Sequence, residues 1–67
     1  MKTMVSIGAF DPTGGAGVLA DIRVAGRFGV YGMSVLTATT SQNPRSFNGV
    51  EAVSDEMFRK QISDVFD

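Results

Sequence analysis

An α/β fold built on a parallel sheet is predicted by three observations. Two short runs, MVSIGAF at residues 4–10 and VYGMSVLTATT at 30–40, are largely apolar, free of charge and marked by β-branched residues. Between them the spacing becomes helical, with Val18, Ile22 and Ala25 at i, i+4 and i+7. Strand, helix and strand within so short a length make a βαβ unit, and the near-continuous apolarity of its strands suits a sheet covered on both faces.

The elements follow in order. The first run ends at the breaker pair Asp11-Pro12. The helix is expected over about 14–28, with Thr13 or Asp11 as its N-cap and Gly29 where a C-terminal cap belongs. NPRSFNG, at 43–49, reads as a loop by its Pro and Asn-Gly signals, and 50–53 as a short extra strand. Residues 54–67 form an amphipathic helix. Ser54 is placed to cap it, Asp55 and Glu56 suit the positive end of the dipole, and Phe58, Ile62 and Val65 make an apolar stripe. Asp55 with Arg59 and Glu56 with Lys60 are i, i+4 ion pairs on a solvated face, each contributing ~0.2–0.5 kcal/mol.

Composition narrows the chemistry. A chain of 67 residues is one small domain at most, and domains of that size bury only about 60% of the surface exposed by the unfolded chain. With no cysteine and no histidine, neither disulfides nor thiol or imidazole catalysis is available, and carboxylates, hydroxyls, amides and backbone dipoles remain. The acids are scattered rather than clustered for a metal. A net charge of −1 with no basic stripe argues against a nucleic-acid partner. Apolar runs are broken well before the roughly 20 residues of a membrane span, and the N-terminus lacks a signal-peptide pattern, so a soluble cytoplasmic location with no membrane association is expected. No strand follows the last helix to cover its stripe, so residues 1–67 read as the opening of a larger α/β protein.

The segment FDPTGGAGVLAD, at 10–21, is the most distinctive. A phosphate-binding P-loop requires a lysine directly after its last glycine, and the only lysines are Lys2 and Lys60. The run from Gly15 to Ala20 matches the dinucleotide pattern G-x-G-x-x-A. However, Asp11, Pro12 and Thr13 separate it from the strand, and no Asp or Glu lies between Asp21 and Glu51 to hold a ribose. Two readings stay open: small residues that let a helix pack closely on a sheet, or a loop that approaches a polar ligand. Asp21 has Gly17, Val18, Val24 and Ala25 as its helical neighbours, none able to pair with a carboxylate, so it is either a surface acid or a pocket acid. Gln42, at the end of the second strand, is either a loop residue satisfied by backbone or an amide whose donor and acceptor match an aminopyrimidine edge.

Several blocks in sequence resemble the beginning of the hydroxymethylpyrimidine/phosphomethylpyrimidine kinases of thiamine biosynthesis, a family of the ribokinase-like superfamily. They are Asp11-Pro12, Gly14-Gly15-Ala16-Gly17, Ala20-Asp21, Tyr31-Gly32-Met33-Ser34-Val35, Thr37-Ala38 and Gln42-Asn43, and the similarity runs from about Met4 into the last helix. The resemblance implies a three-layer α/β kinase, present here as its N-terminal β-α-β-(β)-α portion, with 1–67 a fragment of one kinase domain. It implies transfer of the γ-phosphate of ATP, with Mg²⁺, to the hydroxymethyl group of an aminopyrimidine and then to its monophosphate. It assigns pyrimidine binding to Asp21 and Gln42, with Ala16, Ala9 and Thr40 in the same pocket and no catalytic residue in this part of the chain. Ala9 and Phe10 stand where the family usually has Gly and then Ser or Thr, which bears on pocket width and substrate choice. Two other readings compete: a short non-catalytic protein that binds a partner or a pyrimidine, forming a homo-oligomer over the Phe58 stripe, and part of a sister kinase for pyridoxal-type alcohols.

Overall fold

A computed structural model describes all residues, Met1–Asp67. The elements are β1 (Thr3–Phe10), α1 (Gly17–Arg27), β2 (Tyr31–Asn43), β3 (Ser46–Ala52) and α2 (Asp55–Val65). They form one sheet in the order β1-β2-β3, parallel between β1 and β2 and antiparallel between β2 and β3.

Glycine positions set how closely α1 approaches the sheet. A Cβ on Gly8 would stand 3.7 Å from Val18 Cγ1, and one on Gly32 would stand 3.1 Å from Ile22 Cγ1. These strand residues therefore face α1, as do Ser34 and Leu36, which pair across the sheet with Ser6 and Gly8. Val35 points the other way and is 0% exposed. α2 packs on β2 and does not touch α1, so the two helices cover opposite faces of β2 and the chain forms three layers.

The termini of α1 follow from backbone chemistry. Gly29 adopts φ 70°, and the N–H groups of Gly29 and Val30 return to the carbonyls of Gly26 (3.1 Å) and Ala25 (3.0 Å). That is a Schellman motif, as Gly29 predicts. At the other end the expected N-cap is corrected. The cap is Ala16, with no side-chain hydrogen bond, and the helix starts at Gly17. Gly14 at φ 74° and Gly17 at φ 69° turn the chain out of right-handed helical conformation until that point.

The loop expected at 43–49 is also corrected. The chain reverses at Pro44-Arg45, where Asn43 Oδ1 accepts from the N–H groups of Arg45 (2.9 Å) and Ser46 (3.1 Å), and β3 begins at once. The Asn48-Gly49 signal marks a bulge, because Ser41 pairs with Gly49 and Gln42 with Phe47, leaving Asn48 unmatched. Ser54 does cap α2, its Oγ accepting from Met57 N–H at 3.1 Å. Of the two expected ion pairs only Lys60–Glu56 forms, at 3.0 Å. Asp55 and Arg59 instead line an open groove of about 560 Å³ with Phe58 and Ile62.

Gly17 is the tightest point, because a Cβ there would run into the Ala9 carbonyl at a positive φ. Gly17→Ala is expected to destabilise the fold by about 2–3 kcal/mol. Gly26→Ala, in open space within the helix, is expected to stabilise it by up to about 1 kcal/mol. Urea unfolding of the two variants checks the opposite signs.

Candidate functional site

The segment between β1 and α1 is organised around an internal carboxylate. Asp11 is 6% exposed, and its Oδ1 accepts from the Thr13 N–H at 2.9 Å and the Thr13 hydroxyl at 2.8 Å. The Gly14 N–H closes a turn on the Asp11 carbonyl at 3.0 Å. The Thr13 N–H, opposed by burial and reinforced by the Thr13 hydroxyl and the N–H groups of Ala16 and Gly15, holds the Asp11 carboxyl below its ordinary value of 3.8. The Thr13 N–H is thus taken by the chain's own carboxylate, while the Gly15 N–H is directed at Thr13 Oγ1 at 3.3 Å. Arg23 lies across the outside of this turn, its Cζ 2.9 Å from where a Gly14 Cβ would stand.

At the end of the sheet a second set of contacts forms. The Thr40 hydroxyl donates to the Phe10 carbonyl (2.8 Å) and accepts from Gln42 Nε2 (2.9 Å). Phe10 in turn bridges Gly17, so the ends of both parallel strands and the start of α1 are tied together. The Gln42 Oε1 makes no hydrogen bond within the chain and is free to accept another. Ala9 and Ala16 flank this region, Ala9 through its carbonyl against Gly17 and Ala16 as the residue just before the helix.

Asp21 lies four residues beyond Gly17 on α1, about 6 Å along the axis. Its Oδ2 accepts a 2.7 Å hydrogen bond from Ser6 Oγ, and its Oδ1 has no partner within the chain. The carboxylate opens on a groove of about 630 Å³ beside β1, walled mainly by Met4, Val5, Ile7, Val24, Phe28 and Val30. The structure therefore groups Ala9, Ala16, Thr40 and Gln42 around the end of the sheet. Asp21 is set apart along α1, and no hydrogen bond joins it to Gln42.

Two residues that the sequence did not single out take part, Ser6 and Gln61, and Asp11, expected as an N-cap candidate, takes a different role. Ser6 is 7% exposed, and its only signal is a lone hydroxyl inside an apolar run. Gln61 brackets Leu36, its Oε1 accepting from the Leu36 N–H (2.8 Å) and its Nε2 donating to the Leu36 carbonyl (2.9 Å). It thereby takes the place of a neighbouring strand where β3 no longer pairs. Asp11 anchors the turn rather than the helix.

The glycine turn at 14–17, the parallel pair β1-β2 and the antiparallel hairpin β2-β3 make up part of an α/β fold of the ribokinase-like type. The phosphomethylpyrimidine kinase family model matches residues 11–67, and the chain belongs to that family. It is 47% identical over 62 residues to the hydroxymethylpyrimidine/phosphomethylpyrimidine kinase of Rhizobium meliloti (strain 1021), covering 92% of this chain and 23% of that protein. The crystal structure of phosphomethylpyrimidine kinase from Clostridium difficile 630 superposes with a TM-score of 0.96 at 39% identity, over 98% of this chain and 29% of that one. A pyridoxal kinase from Staphylococcus aureus in complex with AMP-PCP superposes with a TM-score of 0.87 at 27% identity, over 97% of this chain and 24% of that one. The chain thus spans about a quarter of the length of the curated relatives it matches. No helix is long and apolar enough to cross a membrane.

Because the Asp11 carboxyl is held below 3.8, its stabilisation of the turn is complete above that pH. It is lost as the pH falls through the lowered native value. Acid titration followed by the amide resonances of Thr13 and Ala16 is expected to show this transition, and Asp11→Asn is expected to abolish it.

Proposed function

We propose that this chain forms the substrate-recognising part of a kinase that phosphorylates hydroxymethylpyrimidine and then its monophosphate, using ATP, in thiamine biosynthesis. The observation that carries the reading is a pair of acceptors with no partner within the chain, Asp21 Oδ1 and Gln42 Oε1, in a family-matching segment.

The chemistry of the two groups suits an aminopyrimidine. A carboxylate accepts from an exocyclic amine, and a carboxamide offers both a donor and an acceptor to a ring edge. Ala9 and Ala16 are the small residues beside this end of the sheet, and Thr40 fixes the direction of the Gln42 amide through its bond to Nε2. These residues bind and orient. None of them is assigned a role in phosphoryl transfer, which rests on positioning and charge stabilisation of the phosphates.

Mg²⁺ and ATP do not fit the residues present. The N–H groups of Thr13, Gly14 and Gly15 already donate within the loop, to the Asp11 carboxylate, the Asp11 carbonyl and the Thr13 hydroxyl, and no three acids stand close enough to hold an ion. Phosphate and metal binding are therefore assigned to the part of the kinase domain that the relatives have beyond the matched quarter, and no step is derived for them from this segment.

The test is ATP-dependent phosphorylation by the protein as its gene encodes it, with hydroxymethylpyrimidine and pyridoxal as alternative substrates. Turnover of the pyrimidine in preference to pyridoxal is expected. Asp21→Asn and Gln42→Ala are each expected to raise the KM for the pyrimidine about tenfold, the loss of a hydrogen bond to the ligand. An unchanged KM in both variants overturns the assignment, and preference for pyridoxal would make the protein the sister kinase instead.

A further inference from the structure

We infer that Ser6 is a positioning residue for substrate recognition, fixing the Asp21 carboxylate so that a single oxygen, Oδ1, is presented to the ligand. The inference rests on the reading of Asp21 as a pyrimidine-binding group and adds to it a residue on a different element.

Ser6 is the one hydroxyl in the run from Met4 to Phe10, on the face of β1 turned toward α1. A buried hydroxyl needs a partner, and at 7% exposure Ser6 finds it 15 positions along the chain, in Asp21 Oδ2 at 2.7 Å. The length is that of a charge-assisted O–H···O⁻ bond. A serine hydroxyl has a single proton, and here it is directed at Oδ2. That geometry has two consequences for a ligand. It pins the rotation of the carboxylate, which on an exposed helix position would otherwise sample several rotamers. It also engages one oxygen and leaves the other as a pure acceptor, so the site selects a ligand that brings an N–H or O–H donor, as an exocyclic amine does.

No other group competes for the role. Asp21 forms no salt bridge, since the chain's one ion pair joins Lys60 and Glu56. Its helical neighbours Gly17, Val18, Val24 and Ala25 carry no donor side chain. Without Ser6 the carboxylate would be held by nothing in this chain.

Titration calorimetry of hydroxymethylpyrimidine into the protein as its gene encodes it tests the inference, with Ser6→Ala, Ser6→Cys, Ser6→Thr, Asp21→Asn and the Ser6→Ala/Asp21→Asn pair. Ser6→Ala is expected to weaken binding about tenfold. Ser6→Cys, close in size but a poor donor, is expected to weaken it similarly with little change in Tm, and Ser6→Thr to bring it back to within about threefold of the parent protein. In the Asp21→Asn background, Ser6→Ala is expected to add little, because a residue acting through Asp21 has nothing left to position. Full losses that multiply in the double variant would mark a general structural role and overturn the inference. So would parent-like binding by both Ser6→Ala and Ser6→Cys while Asp21→Asn binds weakly, an outcome that leaves the Asp21 reading standing. Parent-like binding by Asp21→Asn would remove that reading and the inference with it.

Discussion

The absence of a side chain at Gly17 is the constraint on which the rest of the structure depends. Only hydrogen at that Cα lets the start of α1 lie against the Ala9 carbonyl and bridge Phe10. From that point the helix runs back over β1, and each later contact is set by the first. Val18 meets Gly8, Asp21 meets Ser6 and Ile22 meets Gly32. A helix held farther from the sheet by one Cβ would leave Ser6 without its partner and the carboxylate without its anchor. The close approach that reads as packing and the polar contact that reads as a site are one arrangement.

The same economy of space explains why a glycine-rich turn at a helix N-terminus is not a phosphate cradle here. Such turns present N–H groups and favour anions, and Asp11 answers that preference from inside. The turn is thereby held by its own hydrogen bonds, with Arg23 lying across its outside. Binding energy in a flat apolar slot comes from excluded water and shape, while a few fixed acceptors set orientation. In the proposed reading Asp21 and Gln42 are such acceptors, and each is bonded to one hydroxyl of the chain, Ser6 or Thr40.

What was legible in the sequence depended on local chemistry. Val5, Ile7 and the β-branched residues of 30–40 specify strands through their own sterics, Gly29 specifies a helix end through its φ, and Ser54 specifies a start through its hydroxyl. Those signals act within a few residues and were read correctly. The start of α1 was not, because Gly14 and Gly17, both at positive φ, postpone it and the expected cap residue Asp11 turns to its own loop. The hairpin was hidden for a related reason. Asn-Pro and Asn-Gly are equal turn signals on paper, and only pairing with β2 decides that the first is the reversal and the second a bulge. In the site, Gln42 could be placed at a strand end by pattern, and Asp21 was left between surface and pocket. Ser6 and Gln61 were missed because their partners, 15 and 25 positions away, are set by the fold and by nothing nearby in the chain.

The central claim is that the Asp21 carboxylate and the Gln42 amide hold one pyrimidine between them. A crystal structure of the protein with hydroxymethylpyrimidine bound tests it most directly. The account predicts the exocyclic amine within hydrogen-bond distance of Asp21 Oδ1, the ring edge on the Gln42 amide and the ring face against Ala16. A pyrimidine that touches neither side chain, with Asp21 still bonded only to Ser6, would contradict it.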